Sequence, residues 1–488
     1  MNVSPKNNYM PIQRVPFKNF NMGGIADSDY MGTANSFADL WGFDIHSEVG
    51  IAKVNQALTK ESGATIDDFV KCSVPSSDGN TYLFGSTNGK VWKRTSAGVY
   101  SLEATVSPSA GAIGILDAKE YQGYIYYATQ NRLGRWQIGT AWSTRNDNWA
   151  TFTKGDTDWH PMLTLNLVLY IGDGYLVAQV DAGVFSASAL DLPFPNEVRI
   201  KCLGQMGTDL LAGTYVNSNI NKTEIYRWNT WSTSFTNSDP IPEVGINAFL
   251  PIDNQVIVNA GTKGNLYLYN GATLEPYKQI KGTWDATTNK AVVHPNAGLN
   301  FNGLPLFGLS SVAGTPTNMG LYSLGRANRN YPIVLNGEQG ISSGNLNNVE
   351  IGCIVGIGDG YLVSWKDTNG STTYGVDKLD LTLKYTGAYL TTRVIMVDRY
   401  QILNYNVINI GYRNMPTGCR FDIWKKVNNA SFEQFNLAQL EYNDDTDRKV
   451  VMTEIDINNA TTVQIKLAPV VVANTAPELE GFEVLVNV

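Results

Sequence analysis

Short apolar runs separated by Gly, Asn and Asp dominate this chain, and between residues 79 and 363 they recur in a fixed relation to their turns. Gly79 precedes Tyr82-Leu83-Phe84, Gly123 precedes Tyr124-Ile125-Tyr126, and Gly174 precedes Tyr175-Leu176-Val177. Asp209, Asn254, Gly303 and Gly360 in turn precede Leu210-Leu211-Ala212, Val256-Ile257-Val258, Leu304-Pro305-Leu306 and Tyr361-Leu362-Val363. Turn residues of this kind between β-branched and aromatic runs predict tight hairpins. Successive turns are 44, 51, 35, 45, 49 and 57 residues apart, 281 in all and about 47 on average. That period matches the ~40–50 residues of a four-stranded propeller blade.

Most copies carry a further strand with an aromatic. These are Gly89-Lys90-Val91-Trp92, Gly134-Arg135-Trp136, Gly183-Val184-Phe185, Glu224-Ile225-Tyr226, Gly264-Asn265-Leu266-Tyr267 and Gly320-Leu321-Tyr322. Each blade should bury its aromatic against a neighbour. Cys72 in Val-Lys-Cys-Ser-Val, Cys202 in Ile-Lys-Cys-Leu-Gly and Cys353 in Ile-Gly-Cys-Ile-Val each fall seven residues before their turn residue, which assigns them one position on the innermost strand. The sequence Ile-Gly-Asp-Gly-Tyr-Leu-Val occurs twice, at 171–177 and 357–363, and predicts the inner hairpin of two blades with Asp173 and Asp359 as turn formers.

The pattern changes at both ends. Residues 1–20, with Pro5, Pro11 and Pro16, predict an extended arm, since proline is excluded from helix interiors and central strands. The runs Leu40-Trp41-Gly42-Phe43-Asp44-Ile45-His46 and Gly50-Ile51-Ala52-Lys53-Val54 read as strands, and one of them is expected to complete the last blade, because a ring must pair its ends or expose edges. Beyond residue 385 the copies stop and unrelated strand-like runs follow. The clearest is 462–467, where Val463, Ile465 and Leu467 alternate onto one face. The fold expected is therefore all-β: an arm over 1–20, a propeller of about seven blades over 21–385, with six or eight also compatible with the spacing, and a jelly-roll-like β-sandwich over 386–488.

Only 16 % of the 488 residues are charged, against about a quarter in ordinary globular proteins, so Asn, Thr, Ser and Tyr carry solubility. A net charge of −8 and the lack of a basic stripe argue against a nucleic-acid partner. No run reaches the ~20 apolar residues of a membrane span, and no signal-peptide core opens the chain. With no Cys-x-x-Cys spacing, all four cysteines are expected to be free thiols, which fits synthesis in a reducing cytoplasm.

The order of proline-containing arm, Ser36-Phe37-Ala38-Asp39-Leu40-Trp41-Gly42-Phe43-Asp44, Gly/Asn-rich propeller and a closing region ending Ala476-Pro477-Glu478-Leu479-Glu480-Gly481-Phe482-Glu483-Val484 resembles propeller-bearing structural proteins of tailed-bacteriophage virions. The resemblance covers nearly the whole chain, in domain order and texture rather than in one motif. It implies a subunit of a tail, neck or fibre base, present in several copies around the particle axis and docked to other virion proteins.

Chemistry-bearing residues point less strongly. His46, His160 and His294 fall in different copies and none stands at metal-ligand spacing; no metal or cofactor is expected. No Gly-x-Ser-x-Gly elbow, Walker loop or His-Glu-x-x-His is present. Asp156 and Asp158, close to Trp142, Trp149 and Trp159, are the candidates for a glycosidase pair, but adjacent acids on a polar loop are ordinarily solvated, and the expectation is a protein without catalysis. The segment Ser76-Ser77-Asp78-Gly79-Asn80-Thr81-Tyr82 matches a sialidase Asp-box only in part. The alternative to a scaffold is a receptor- or glycan-binding tail protein, with Trp142, Trp149, Trp159 and Trp231 as candidate surface aromatics. Tyr226 and Trp228, two apart, are expected to fill cores between blades.

Overall fold

The computed structural model describes residues 12–63, 65–106, 114–193, 198–216, 223–281, 289–396, 406–434, 449–454 and 461–487. The chain divides into two compact units, one of residues 58–322 and 340–380, the other of residues 1–57, 323–339 and 381–488. Both are all-β.

The larger unit is a β-propeller. Five consecutive four-stranded antiparallel meanders occupy residues 70–105, 117–151, 162–191, 198–241 and 246–279. Strands Lys290–Phe301, Leu304–Ala313 and Gly320–Gly325 follow, and then Val349–Ile357, Gly360–Asp367 and Thr373–Lys384. The last of these sheets takes its fourth strand, Gln56–Lys60, from the other end of the chain. Closure by the N-terminal side is therefore as expected, but through a different strand: 37–44 and 52–54 belong to the second unit.

Each meander buries both faces, so the apolar material lies between sheets. Cys72, Phe84 and Val91 of the first sheet pack with Ile125, Tyr127 and Trp136 of the second. Val70, Leu83 and Trp92 pack with Cys353, Leu362 and Val376 of the last sheet, which closes the ring. The first strand of each sheet packs on the first strand of the next, and Val349–Ile357 returns to Val70–Pro75. The three repeat-register cysteines lie on these innermost strands, and all four thiols are free and buried. Of the predicted third-strand aromatics, Trp92, Trp136, Tyr226, Tyr267 and Tyr322 are buried, while Phe185 is half-buried and lies on the fourth strand of its sheet, Val184–Asp191.

The repeated octapeptide does not occupy equivalent places. At 356–363 it joins the first and second strands of its sheet, with Ile357 paired to Gly360 and Gly358-Asp359 in the turn. At 170–177 it joins the second and third, with Asp173 paired to Leu176. The first turn of that sheet is instead Asn166-Leu167, both in the left-handed region (φ 51 and 63), between Leu165 and Val168. With Asn166 as the marker, the intervals from Gly123 to Asn166 and from Asn166 to Asp209 become 43 residues each, in place of 51 and 35. Local sequence identity here misled the alignment by one strand.

The second unit holds two sheets. In one, Glu478–Asn487 lies between Asn406–Asn414 and, on its other side, Ala52–Val54 and Ile12–Lys18. In the other, Thr462–Val470 pairs with Arg420–Val427 and Tyr389–Thr392, and Phe37–Trp41 pairs with Tyr389–Thr392 and Val334–Gln339. Val463, Ile465 and Leu467 are buried as the alternation predicts. Phe17, Phe37 and Phe482 join the two sheets, with ring centroids 4.7–6.3 Å apart. The arm expected over 1–20 is corrected from residue 12 onward: Ile12–Lys18 is an edge strand, a position that tolerates Pro16, and Phe20–Met22 is a 3-10 turn. Residues 1–11 lie outside the described residues.

Candidate functional site

Irregularities in the innermost strands aim a set of polar side chains. Pairing steps from Val70↔Gly85 to Cys72↔Phe84, from Ile200↔Thr214 to Cys202↔Gly213, and from Ile246↔Ala260 to Ala248↔Asn259. The extra residues are Lys71, Lys201 and Asn247. A bulge re-aims the side chain at the inserted position. Cys72 and Cys202 thereby keep their places in the cores, while each preceding lysine is released from them. In Lys290–Phe301 the interruption is larger: the four residues between Val293 and Gly298 face the one between Leu309 and Phe307, which frees the segment around His294, Pro295 and Asn296.

Lys71, Asp117, Trp159, Lys201, His294 and Asn296 converge on one point. They come from the first strands of five sheets, or from the segments leading into them, so that point lies on the propeller axis. Two ammonium groups lie over the indole of Trp159, Lys71 Nζ at 5.0 Å and Lys201 Nζ at 4.8 Å from its centroid. The His294 ring lies 5.9 Å from Trp159 and 6.0 Å from Phe69. Together these side chains leave a void of about 10 Å³, the size of one water molecule.

Burial and charge act together here. Both lysines are partly shielded from solvent, and that burial lowers their pKa, Lys201 to about 8. Burial likewise lowers His294, and the charges of Lys71 and Lys201 lower it further, while Glu350 acts in the opposite direction. Lys201 Nζ donates to Asn247 Oδ1 at 2.6 Å, and Asn247 Nδ2 donates to Asn259 Oδ1 at 2.9 Å and the Gly261 carbonyl at 2.7 Å. Asp117, pushed up to about 6 by burial, accepts from the Ala118 and Met162 amides and from Asn296 Nδ2 at 2.8, 2.7 and 2.9 Å. Glu350 accepts from Lys366 Nζ at 2.7 Å and lies 3.6 Å from His294 Nε2.

Of the four aromatics proposed from sequence, only Trp159 enters this site. Trp142 is corrected: it is 5 % exposed and stacks on Trp136 at 4.3 Å inside the core between the first two sheets. Trp149 packs edge-on to Tyr126 at 5.2 Å with Arg135 over its ring at 4.6 Å. Trp231 is 86 % exposed, on a loop held by Asn229 Oδ1. Asp156 is buried and accepts the amides of Asp158 and Trp159 at 2.8 and 3.2 Å, so it shapes the loop that presents Trp159; Asp158 is exposed. Asp78 accepts the Asn80 amide and the Tyr82 hydroxyl within its own turn. His160 is buried against Phe152, its ring nitrogens facing the Gly172 and Gln130 carbonyls, and burial lowers His46 to about 4. The residues that reasoning from sequence passed over are Lys71 and Lys201. Their signal was the repeated Lys-Cys of Val-Lys-Cys-Ser-Val and Ile-Lys-Cys-Leu-Gly, in which only the cysteine was weighed.

A ring of four-stranded meanders around a filled axis defines a β-propeller. No family model matches the chain, and no curated protein matches it. Among solved structures, the extracellular domain of a hybrid two-component system from B. thetaiotaomicron is 15 % identical, with a TM-score of 0.46, over 76 % of this chain and 43 % of that one. The Dos1 propeller is 12 % identical with a TM-score of 0.40, over 66 % and 94 %, and a streptogramin B lyase is 13 % identical with a TM-score of 0.44, over 67 % and 98 %. The chain spans less than half the length of the first two structures it matches.

Proposed function

We propose that this chain is a non-catalytic structural subunit of a tailed-phage particle, a docking scaffold made of a seven-bladed propeller and a β-sandwich. Six four-stranded sheets and the three strands of 290–325 support a count of seven blades. The two Phe-joined sheets of the second unit support the sandwich. The assignment to a virion rests on the resemblance in domain order.

The observation that favours docking over catalysis is the filled axis. Trp159 and its two lysines leave room for one water-sized occupant, too little for a sugar ring. A glycosidase needs two carboxyl groups facing each other across the substrate, about 5–10 Å apart. Asp156 is instead committed to its own loop, and Asp117 to two amides and Asn296. The outer faces and loops are then the surfaces through which the protein acts, repeated in several copies about the particle axis.

Particles purified from a host carrying this gene should contain the chain at a fixed ratio to the other virion proteins by quantitative mass spectrometry. Absence from such particles would sink the scaffold reading. A second reading, attachment to a host-surface glycan, is favoured by one observation: Trp231 stands almost fully exposed among Asn and Ser. Tight binding of the isolated protein to host cells, lost on Trp231→Ala, would make attachment the primary function.

A further inference from the structure

The axial cluster brings two ammonium groups together without a carboxylate in contact with either. Among the described residues, neither Lys71 nor Lys201 has a carboxylate oxygen within 4 Å. Of the acids that face them, Asp117 accepts from two amides and Asn296, Glu350 is held by Lys366, and Asp158 acts on both lysines only at a distance, from an exposed loop position. Lys201 Nζ spends one of its three donors on Asn247. His294 is 5 % exposed; its Nδ1 has no hydrogen-bond partner among the described residues, and its Nε2 has only Glu350, at 3.6 Å. Buried like charges and an unsatisfied buried ring both cost stability. Strand bulges nonetheless bring them to one point, and a void of about 10 Å³ lies among them.

We propose that this point is an anion site, which binds a single halide-sized anion between the ammonium groups of Lys71 and Lys201, with His294 as a further donor. The anion neutralises the convergent positive charge, and an N–H of His294 gains an acceptor. The size of the void selects against larger anions such as glutamate. Trp159 forms the wall, since its face is already occupied by the two cations. The site is independent of the virion assignment, and it gives the filled axis a structural ion in place of a substrate.

The test uses the full chain, exchanged into sodium glutamate, with chloride added at constant ionic strength and the ³⁵Cl line width measured. The expected result is saturable broadening in the wild type, weakened at least tenfold in the Lys71→Met/Lys201→Met double variant and retained in Lys366→Met, whose lysine serves Glu350. Circular dichroism checks that the variants fold. Should the double variant fail to fold, crystals of the wild-type protein soaked in bromide decide the matter: an anomalous peak beside Trp159, within contact distance of both ammonium groups, supports the site. Broadening that does not saturate, broadening unchanged by the double variant, or bromide peaks only elsewhere would overturn it.

Discussion

Identical sequence in non-equivalent places makes a sharp prediction for Asp173 and Asp359. Asp173 is fully buried, and its carboxylate accepts the amides of Thr153, Lys154 and Gly155 at 2.7, 3.0 and 2.8 Å. Asp359 is an exposed turn residue. Hydrogen bonds to a charged acceptor contribute about 1.5–3 kcal/mol each, so three would give up to about 9 kcal/mol if fully additive. Thr153 and Lys154 are exposed residues, so water can replace part of what is lost. Asp173→Ala should therefore cost about 3–4 kcal/mol, whereas Asp359→Ala, a surface change, should stay within about 0.5 kcal/mol. Urea denaturation followed by tryptophan fluorescence gives both values on the same transition. Costs within about 1 kcal/mol of each other would refute the assignment of the two octapeptides to different strands.

Two further outcomes are expected. Glu338, in the second unit, is half-buried among Ser323, Asn336 and Asn55, and desolvation there raises its pKa from 4.5 to about 7. Below pH 4.5 both folded and unfolded chains hold the proton; between pH 4.5 and 7 only the unfolded chain releases it, so stability falls by about 2–3 kcal/mol and then levels. Glu338→Gln should remove that fall, and a pH-dependent melting series that still shows it would exclude Glu338 as its source. Trp142→Ala should destabilise by about 3–5 kcal/mol, because the ring fills a core with Trp136, while Trp231→Ala should be nearly neutral, a contrast readable in thermal melts.

Features with local signatures were legible in the sequence. The alternation at Val463, Ile465 and Leu467, the cysteine register and the third-strand aromatics each depend on a strand facing a core, and a strand's faces are written in its own residues. Partner choice is not written there. Leu40–His46 and Gly50–Val54 contain strands as expected, but Trp41 pairs with Gly337, Leu40 with Leu390 and Ala52 with Leu479, 296, 350 and 427 residues further on, and the closing strand Gln56–Lys60 looks no more apolar than either. The axial site was hidden for a related reason. A bulge reverses the in-out parity that makes a strand readable, so lysines beside core cysteines looked like solvated positions.

The second unit's sheet has a consequence for synthesis. Ile12–Lys18 pairs with Asn487–Gly481, so some 470 residues separate the two partners along the chain. At roughly 5–20 residues per second, the first strand leaves the ribosome between about half a minute and a minute and a half before its partner exists. Through that interval Phe17 lacks Phe482, on which it stacks at 4.7 Å in the finished protein. A chain that terminates early can never complete this sheet, however well its meanders have formed. Its assembly therefore waits on the synthesis of Glu478–Asn487, on which both Ile12–Lys18 and Asn406–Asn414 pair.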